Sequence, residues 1–380
     1  MERARNGLLA ALTGCLAAFA AYDVWYWVSA FRAAPLAQDT SLYYVAAQIG
    51  LEHGWSRIYD LSLQAQVFAG LQAGFTQSDF FLYANPPPMA WLMAPLTVAP
   101  PVAAYLAVVA ISVCAVVGAG LMAAPGTGRV RVLFVLAPFA WYPVIYGLRL
   151  GQVTLLIGFL IVLCWWLDQR GRPELAGLVL ALTAIKPQLA LLVGPCLLLA
   201  GHWRLAIGWL AGSLILAGAS VLSLGADGVA QYIDVLRIIH GADYNQVFSL
   251  ASLGGGPAIT IALQVAAAAV TLAAAFRSRR RGTAVVIAVA LIGSLLAAPY
   301  AHVDDFAIVL PAAWLLVRAG RALYHVLWLI PLAVTMELAW VLGPFPILAT
   351  LAICLLLFFL PSAELDRRVN SADHRPAMVA

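Results

Sequence analysis

The stretch GQVTLLIGFLIVLCWWL, residues 151–167, is continuously apolar. It lacks both the alternation of a half-exposed strand and the polar face of a surface helix. Runs of this kind recur at roughly 8–31, 101–123, 131–148, 151–167, 173–185, 187–200, 205–224, 257–276, 282–298, 304–318, 323–342 and 345–361, separated by short breaks rich in Arg, Pro or Gly. Hydrocarbon offers the backbone no hydrogen-bond partner, so a chain built this way must satisfy its peptide groups within helices. The pattern predicts an all-α polytopic integral membrane protein with about twelve spans. Several runs are shorter than the ~20 residues of a standard span and are expected to be short, broken or re-entrant. A transmembrane barrel would need alternating strands of about ten residues, which these runs exclude.

Composition agrees, with 64% hydrophobic and 10% charged residues and a mean hydropathy of +0.94. A net charge of +4 with no basic tail gives no reason to expect nucleic acid as a partner. Cys15, Cys114, Cys164, Cys196 and Cys354 all fall inside apolar runs without CxxC or Cys/His spacing, so they read as small buried hydrophobes. Leu12-Thr13-Gly14-Cys15 resembles a lipoprotein cleavage box. The apolar run continues past it to Phe31, however, which favours a retained spanning anchor.

The arginines orient the chain. Of 21 Lys and Arg, all but Arg32, Arg57, Arg149, Lys186 and Arg237 fall on one side if each run crosses once. The positive-inside rule makes that side cytoplasmic, together with both termini, in a bacterial-type inner membrane. One segment must then not cross. PPPMAWLMAPLTVAPP, residues 86–101, is framed by prolines and too short for a span, and is expected to be a half-helix entering from outside. The organisation predicted is one transmembrane domain over 1–361 with outer loops 32–100 and 225–256, followed by a cytoplasmic tail 362–380.

On this topology the outer face collects the polar residues that simple turns do not need. They are Asp39, Tyr43, Tyr44 and His53 after the first span; Asn85 before three prolines; Arg149 and Gln152 in YGLRLGQVT; Lys186 and Gln188 in AIKPQ; and His302, Asp304 and Asp305 in AHVDD. Each has a bland alternative. Asp39 and the AHVDD acids suit helix caps, Asn85 a rigid turn, and Lys186 a snorkelling anchor. Gathered on one face, cations that can ligate an anion and carboxylates that can act as a base suggest a shared site for an anionic substrate. No Walker loop, HExxH, GxSxG or Asp-x-Asp pair occurs, so a soluble nucleotide donor is not expected.

The ordered segments Asp39 with Tyr43-Tyr44-x-Ala-Ala, the Pro-Pro stretch to Ala94-Pro95-Leu96, Leu150-Gly151-Gln152, Arg170-Gly171-Arg172 with Ala176-Gly177, Lys186-Pro187, and Pro299 to His302 resemble glycosyltransferase family 87 of the GT-C superfamily. The resemblance runs over roughly residues 35–310 and rests on order and spacing. It implies an inverting transfer of a hexose, mannose first, from a polyprenyl-phosphate sugar to a glycolipid or glycan on the outer face. The base would be the acid of the first outer loop, by position Asp39. Asp39-Thr40-Ser41 stands where the family often has an aromatic after the acid, and Asn85-Pro86-Pro87-Pro88 where Tyr-Pro-Pro is usual.

That chemistry fits the residues at hand. A lipid-phosphate donor carries its own leaving group, so the protein need only neutralise charge on the phosphate and deprotonate the acceptor. Lys186, His302 and Arg149 suit the first task and Asp39 the second. Tyr43, Tyr44, Asn85, Gln152, Gln188, Asp304 and Asp305 are expected to line the substrates. No cofactor or metal is required, although Asp304 and Asp305 leave room for a divalent cation. The competing reading is a transporter or flippase for a lipid-linked substrate, favoured by Asp23 and Glu337 inside apolar runs.

Overall fold

The computed structural model describes residues 2–36, 39–71, 82–240, 246–320 and 323–360. The expected cytoplasmic tail, 362–380, lies outside the described residues, as do 72–81 and 241–245 of the two expected outer loops. Every described element is helical. In chain order these are α1 (Glu2–Ala33), α2 (Asp39–His53), α3 (Leu61–Leu71), α4 (Pro87–Met93), α5 (Pro101–Ala123), α6 (Gly128–Leu136), α7 (Tyr142–Leu150), α8 (Thr154–Asp168) and α9 (Pro173–Ala181). They continue with α10 (Val193–Leu199), α11 (Trp203–His240), α12 (Gly256–Arg277), α13 (Thr283–Ala297), α14 (Val309–Arg318), α15 (Leu323–Glu337), α16 (Ala339–Leu342) and α17 (Pro344–Leu356).

Among the described residues three helices are long and apolar enough to cross a membrane: α5, α11 and α12. A fourth is reached only by counting Gly128–Ala140 and Tyr142–Leu150 together across their 58° bend. The first run lies in the 32-residue α1, and the runs at 151–167, 173–185, 187–200, 282–298, 323–342 and 345–361 give apolar helices of 10–17 residues. The expected twelve runs therefore do not all become full-length helices, and proline is the main physical reason. Pro138 and Pro143 flank the bend, and Pro187 divides Pro173–Ile185 from Pro187–Leu199. The Pro-framed segment 86–101 folds as α4 and a 3₁₀ turn over Ala94–Val98, too short to cross.

The expected outer loop 225–256 contains helix. Gly225, at φ 62°, kinks α11, and the helix resumes to His240. Val229, Tyr232, Val235 and Ile239 recur at helical spacing and pack inward, a periodicity that outweighs the polar residues between them.

At the centre lies α13, buried along almost its whole length, as an all-apolar helix requires. Elsewhere in the bundle α9 and α11 pack at backbone contact. A Cβ on Gly177 would strike the α11 backbone at Leu205 and Trp209, and one on Gly208 would strike Glu174. Small residues give such close approach where the solvent is itself apolar. Leu214, Ile215 and Leu222 of α11 and Ile261 and Val265 of α12 point outward and stay exposed. Apolar outer surface of that extent belongs to a membrane protein.

Candidate active site

The polar residues converge because four chain segments break their helices at one place. The last turn of α7 closes on Gly151, which is left-handed at φ 64°. The Gln152 N–H then reaches back to the Gly147 carbonyl at 2.8 Å, the Schellman end of a helix. A side chain on Gly151 would collide with the Thr40 hydroxyl, which donates to the Gly151 carbonyl at 3.0 Å. The start of α2 is thereby tied to the end of α7.

Lys186 stands before Pro187, whose ring excludes the helical conformation for the residue ahead of it. Its backbone accordingly leaves the helix, at φ −146° and ψ 75°. The freed Ile185 carbonyl accepts from Asn85 Nδ2 at 3.2 Å. In the fourth break, residues Val303–Ile308 form a 3₁₀ helix, and Asp305 Oδ2 accepts the His302 N–H at 2.9 Å.

These breaks assemble one hydrogen-bonded cluster. Lys186 Nζ lies 3.0 Å from Asp304 Oδ2 and 2.5 Å from Asp305 Oδ1. It also donates to Gln152 Oε1 at 3.1 Å and Thr154 Oγ1 at 3.3 Å. Thr154 in turn donates to Asp304 Oδ2 at 3.1 Å. Gln152 Oε1 also accepts from the Tyr43 hydroxyl at 2.8 Å, and the amide nitrogen of Gln152 donates to Asp39 Oδ2. Two donors on its oxygen and a carboxylate on its nitrogen leave Gln152 a single amide orientation. Among the described residues the Asp39 carboxylate accepts from Gln152 and from no backbone N–H of α2, so it does not act as that helix's cap.

Electrostatics sharpen the roles. Asp304 and Asp305 are fully buried and Lys186 nearly so. Buried charges persist when paired and hydrogen-bonded, and here two carboxylates share one ammonium. Asp304 Oδ1 is left buried without a hydrogen bond. The surplus negative charge acts on Asp39. Loss of water and the nearby Asp304 push its carboxyl above the usual carboxylate range, against the opposing pull of His302, Lys186 and Gln152. A carboxylate so placed is a stronger base than one in water.

The remaining candidates divide. His302 adjoins the cluster through Asp305, and its charge acts on Asp39. Arg149 sits above the rings of Tyr26 and Tyr146, at 4.9 and 5.0 Å, and has no ion pair among the described residues. Gln188 is buried next to the Lys186 break with its amide nitrogen unbonded. Tyr44 does not join them. Its hydroxyl bonds the Thr97 and Ala99 carbonyls on the other side of α2. His53 stands exposed at the far end of that helix. Of the acids inside apolar runs, Glu337 Oε2 accepts the Tyr142 N–H at 2.7 Å, which gives it a structural partner.

Sequence reasoning passed over Thr154 and, in an aromatic wall, Tyr59 and Tyr232. Tyr59 stacks on Tyr83 at 5.7 Å and on Tyr232 at 4.5 Å, and Tyr83 meets Tyr43 edge-on at 6.4 Å. The Tyr59 hydroxyl donates to the Asn85 carbonyl at 2.7 Å, which connects this wall to the cluster. Thr154 was recognisable as the second residue past Gln152. The Tyr232 contact was not, since it depends on α11 continuing beyond Gly225. Among the described residues there is no group of three or more His, Cys, Asp or Glu that could hold a metal ion.

Fold and site together define an all-helical membrane protein with a buried acid–lysine cluster beside a half-buried, destabilised carboxylate. The family model of glycosyltransferase family 87 matches residues 81–299, more than half of the chain. The chain belongs to that family and is thereby a glycosyltransferase. The match covers Asn85, Arg149, Gln152, Lys186 and Gln188 and leaves Asp39, His302, Asp304 and Asp305 outside it. No match was found among curated proteins or among solved structures.

Proposed function

We propose that the protein transfers a hexose, mannose first among the candidates, from a polyprenyl-phosphate sugar to a glycolipid or glycan on the extracytoplasmic side of the membrane, with Asp39 as general base. The observation that carries this reading is the Asp39 carboxylate, raised in basicity and held by Gln152 rather than by its own helix. Attack of the acceptor hydroxyl on the anomeric carbon forms the new glycosidic bond as the bond to the phosphate oxygen breaks. The hydroxyl proton passes to Asp39, and the electron pair leaves with the lipid phosphate. One displacement inverts the anomeric configuration.

Arg149 and His302 are suited to the growing charge on the leaving phosphate, because Arg149 has no carboxylate partner among the described residues and a guanidinium pairs well with phosphate. Lys186 already faces two carboxylates, so its role in this scheme is to fix Asp304, Asp305 and Gln152 around the base. The test is to incubate membranes containing the protein with radiolabelled polyprenyl-phosphate-mannose and to extract the product. A labelled glycolipid or glycan absent from control membranes supports the reading. Label that stays wholly on the polyprenyl carrier, with the protein shown to be folded, refutes the donor.

A further inference from the structure

A cavity of about 710 Å³ opens at the opposite end of α8 from the Asp39 cluster. Thr154 starts this helix inside the cluster, while Trp165, Trp166 and the following Arg170 line the cavity. At 1.5 Å per residue the two sites are about 18 Å apart along the axis. Three arginines from separate elements, Arg131, Arg170 and Arg318, face the cavity, and no carboxylate lines it. Among the described residues none of the three has an ion pair. A concentration of cations without counter-charge is unfavourable unless an anion completes it.

The detail of the three arginines favours phosphate. The guanidinium of Arg170 lies 3.6 Å over the Trp166 ring and that of Arg318 5.4 Å over Trp165. Stacking occupies the face of a guanidinium and leaves its N–H edge for a bidentate oxyanion. Arg131 donates to the Leu121 carbonyl near the end of α5, while its Nε, withdrawn from solvent, makes no hydrogen bond.

The walls favour a lipid over a soluble anion. Leu121, which lines the cavity, is itself exposed to the outside, as are Leu133 and Leu136 on α6. The cationic floor thus continues into outward apolar surface, the combination that a headgroup with acyl chains can satisfy at once. We propose that this cavity binds the phosphate headgroup of an anionic phospholipid, with its chains along α5 and α6. The proposal does not depend on the sugar-transfer reading.

Native mass spectrometry of the delipidated, full-length protein tests it, with phosphatidylglycerol, phosphatidylcholine and glycerol 3-phosphate as probes. Thermal unfolding with each probe provides a second readout. The wild-type protein is expected to retain phosphatidylglycerol at least tenfold more tightly than phosphatidylcholine and to unfold at higher temperature with it. Arg170→Gln is expected to weaken retention about fivefold, and Arg170→Gln with Arg318→Gln more than tenfold. Arg280→Gln, which removes the same charge at an exposed position outside the cavity, leaves retention unchanged. Equal retention of the two lipids by the wild type overturns the proposal even if the variants fail to fold. Undiminished retention by a folded double variant also overturns it. Glycerol 3-phosphate binding as tightly as the lipid would assign the cavity to a soluble phosphate instead.

Discussion

The side-chain amide of Gln152 donates to Asp39, 113 positions away in sequence, while its oxygen accepts from Tyr43 and Lys186. Gln152 therefore couples Asp39 to the buried ion cluster, and the consequences of changing either partner can be separated.

Asp39→Asn removes the basicity and keeps the shape. The carboxylate does not cap α2 among the described residues, so the folded protein is expected to accumulate normally in membranes. Transfer should fall by about 10²–10⁴. An Asn variant with normal turnover, measured on the radiolabelled donor, would remove Asp39 from the mechanism.

The pH–rate profile should carry an acid limb from Asp39. Burial and the nearby Asp304 hold its carboxyl above the ordinary carboxylate range, and the ionised form is the active one, so the rate should fall as pH drops through a value higher than that of an aspartate in water. The Gln152 hydrogen bond lowers that value, so Gln152→Leu should shift the limb to still higher pH. A limb that stays in place in this variant contradicts the coupling.

Lys186→Met leaves two buried carboxylates without their ammonium. The expected cost is about 3–5 kcal/mol, because an uncompensated buried charge remains. Thermal unfolding in detergent should register the loss whether or not donor is present. A lysine serving only as a phosphate ligand would instead weaken donor use roughly ten- to a hundredfold without a loss of stability on that scale.

Asp60 offers a comparison outside the site. Its Oδ1 accepts from the Ser62 and Leu63 N–H groups, each at 3.1 Å, and caps α3. The Ser62 hydroxyl, which also donates to Oδ1 at 2.6 Å, holds its carboxyl at about 2 together with the Arg57 pair and the Leu63 N–H. Asp60→Ala is expected to cost about 1 kcal/mol and Asp60→Asn much less, both with unchanged transfer per folded molecule. A selective loss of turnover in Asp60→Ala would bring the α3 region into the mechanism.

Sidedness is testable with an impermeant thiol reagent and the unsubstituted protein as blank. Ser62 and Arg280 are both exposed. Ser62→Cys should label in intact cells and Arg280→Cys only after permeabilisation. The reverse pattern would invert the topology on which the outer site rests.

The helical class was legible because continuous apolar runs admit little else, and the segment 86–101 was legible because its prolines are unmistakable. Asp39, Gln152, Lys186 and Asp304 could be singled out as polar breaks between apolar runs. Their partners could not, since Lys186 chooses between phosphate and carboxylate through three-dimensional proximity alone. Tyr44 illustrates the converse. It is adjacent to Tyr43 in sequence, yet the helical turn sends its hydroxyl to the Thr97 carbonyl. The end of the run 205–224 was legible and coincides with the break at Gly225, whereas the helical stretch beyond it, with Val235 packed inward, was not, because polar residues interrupt its apolar positions.

The ion cluster also sets an order of events during synthesis. Lys186 and Asp304 are 118 residues apart. At about 5–20 residues per second, the lysine emerges roughly 6–24 seconds before its carboxylates exist. Throughout that interval an ammonium destined for burial has no counter-charge, and the Pro187 break is held only by contacts formed upstream. Burial of the Lys186 ammonium is accordingly expected to wait, with the side chain in water, until the AHVDD segment arrives. Ribosome stalling between positions 186 and 304 would thus leave an intermediate whose weakness is its own unfinished ion cluster.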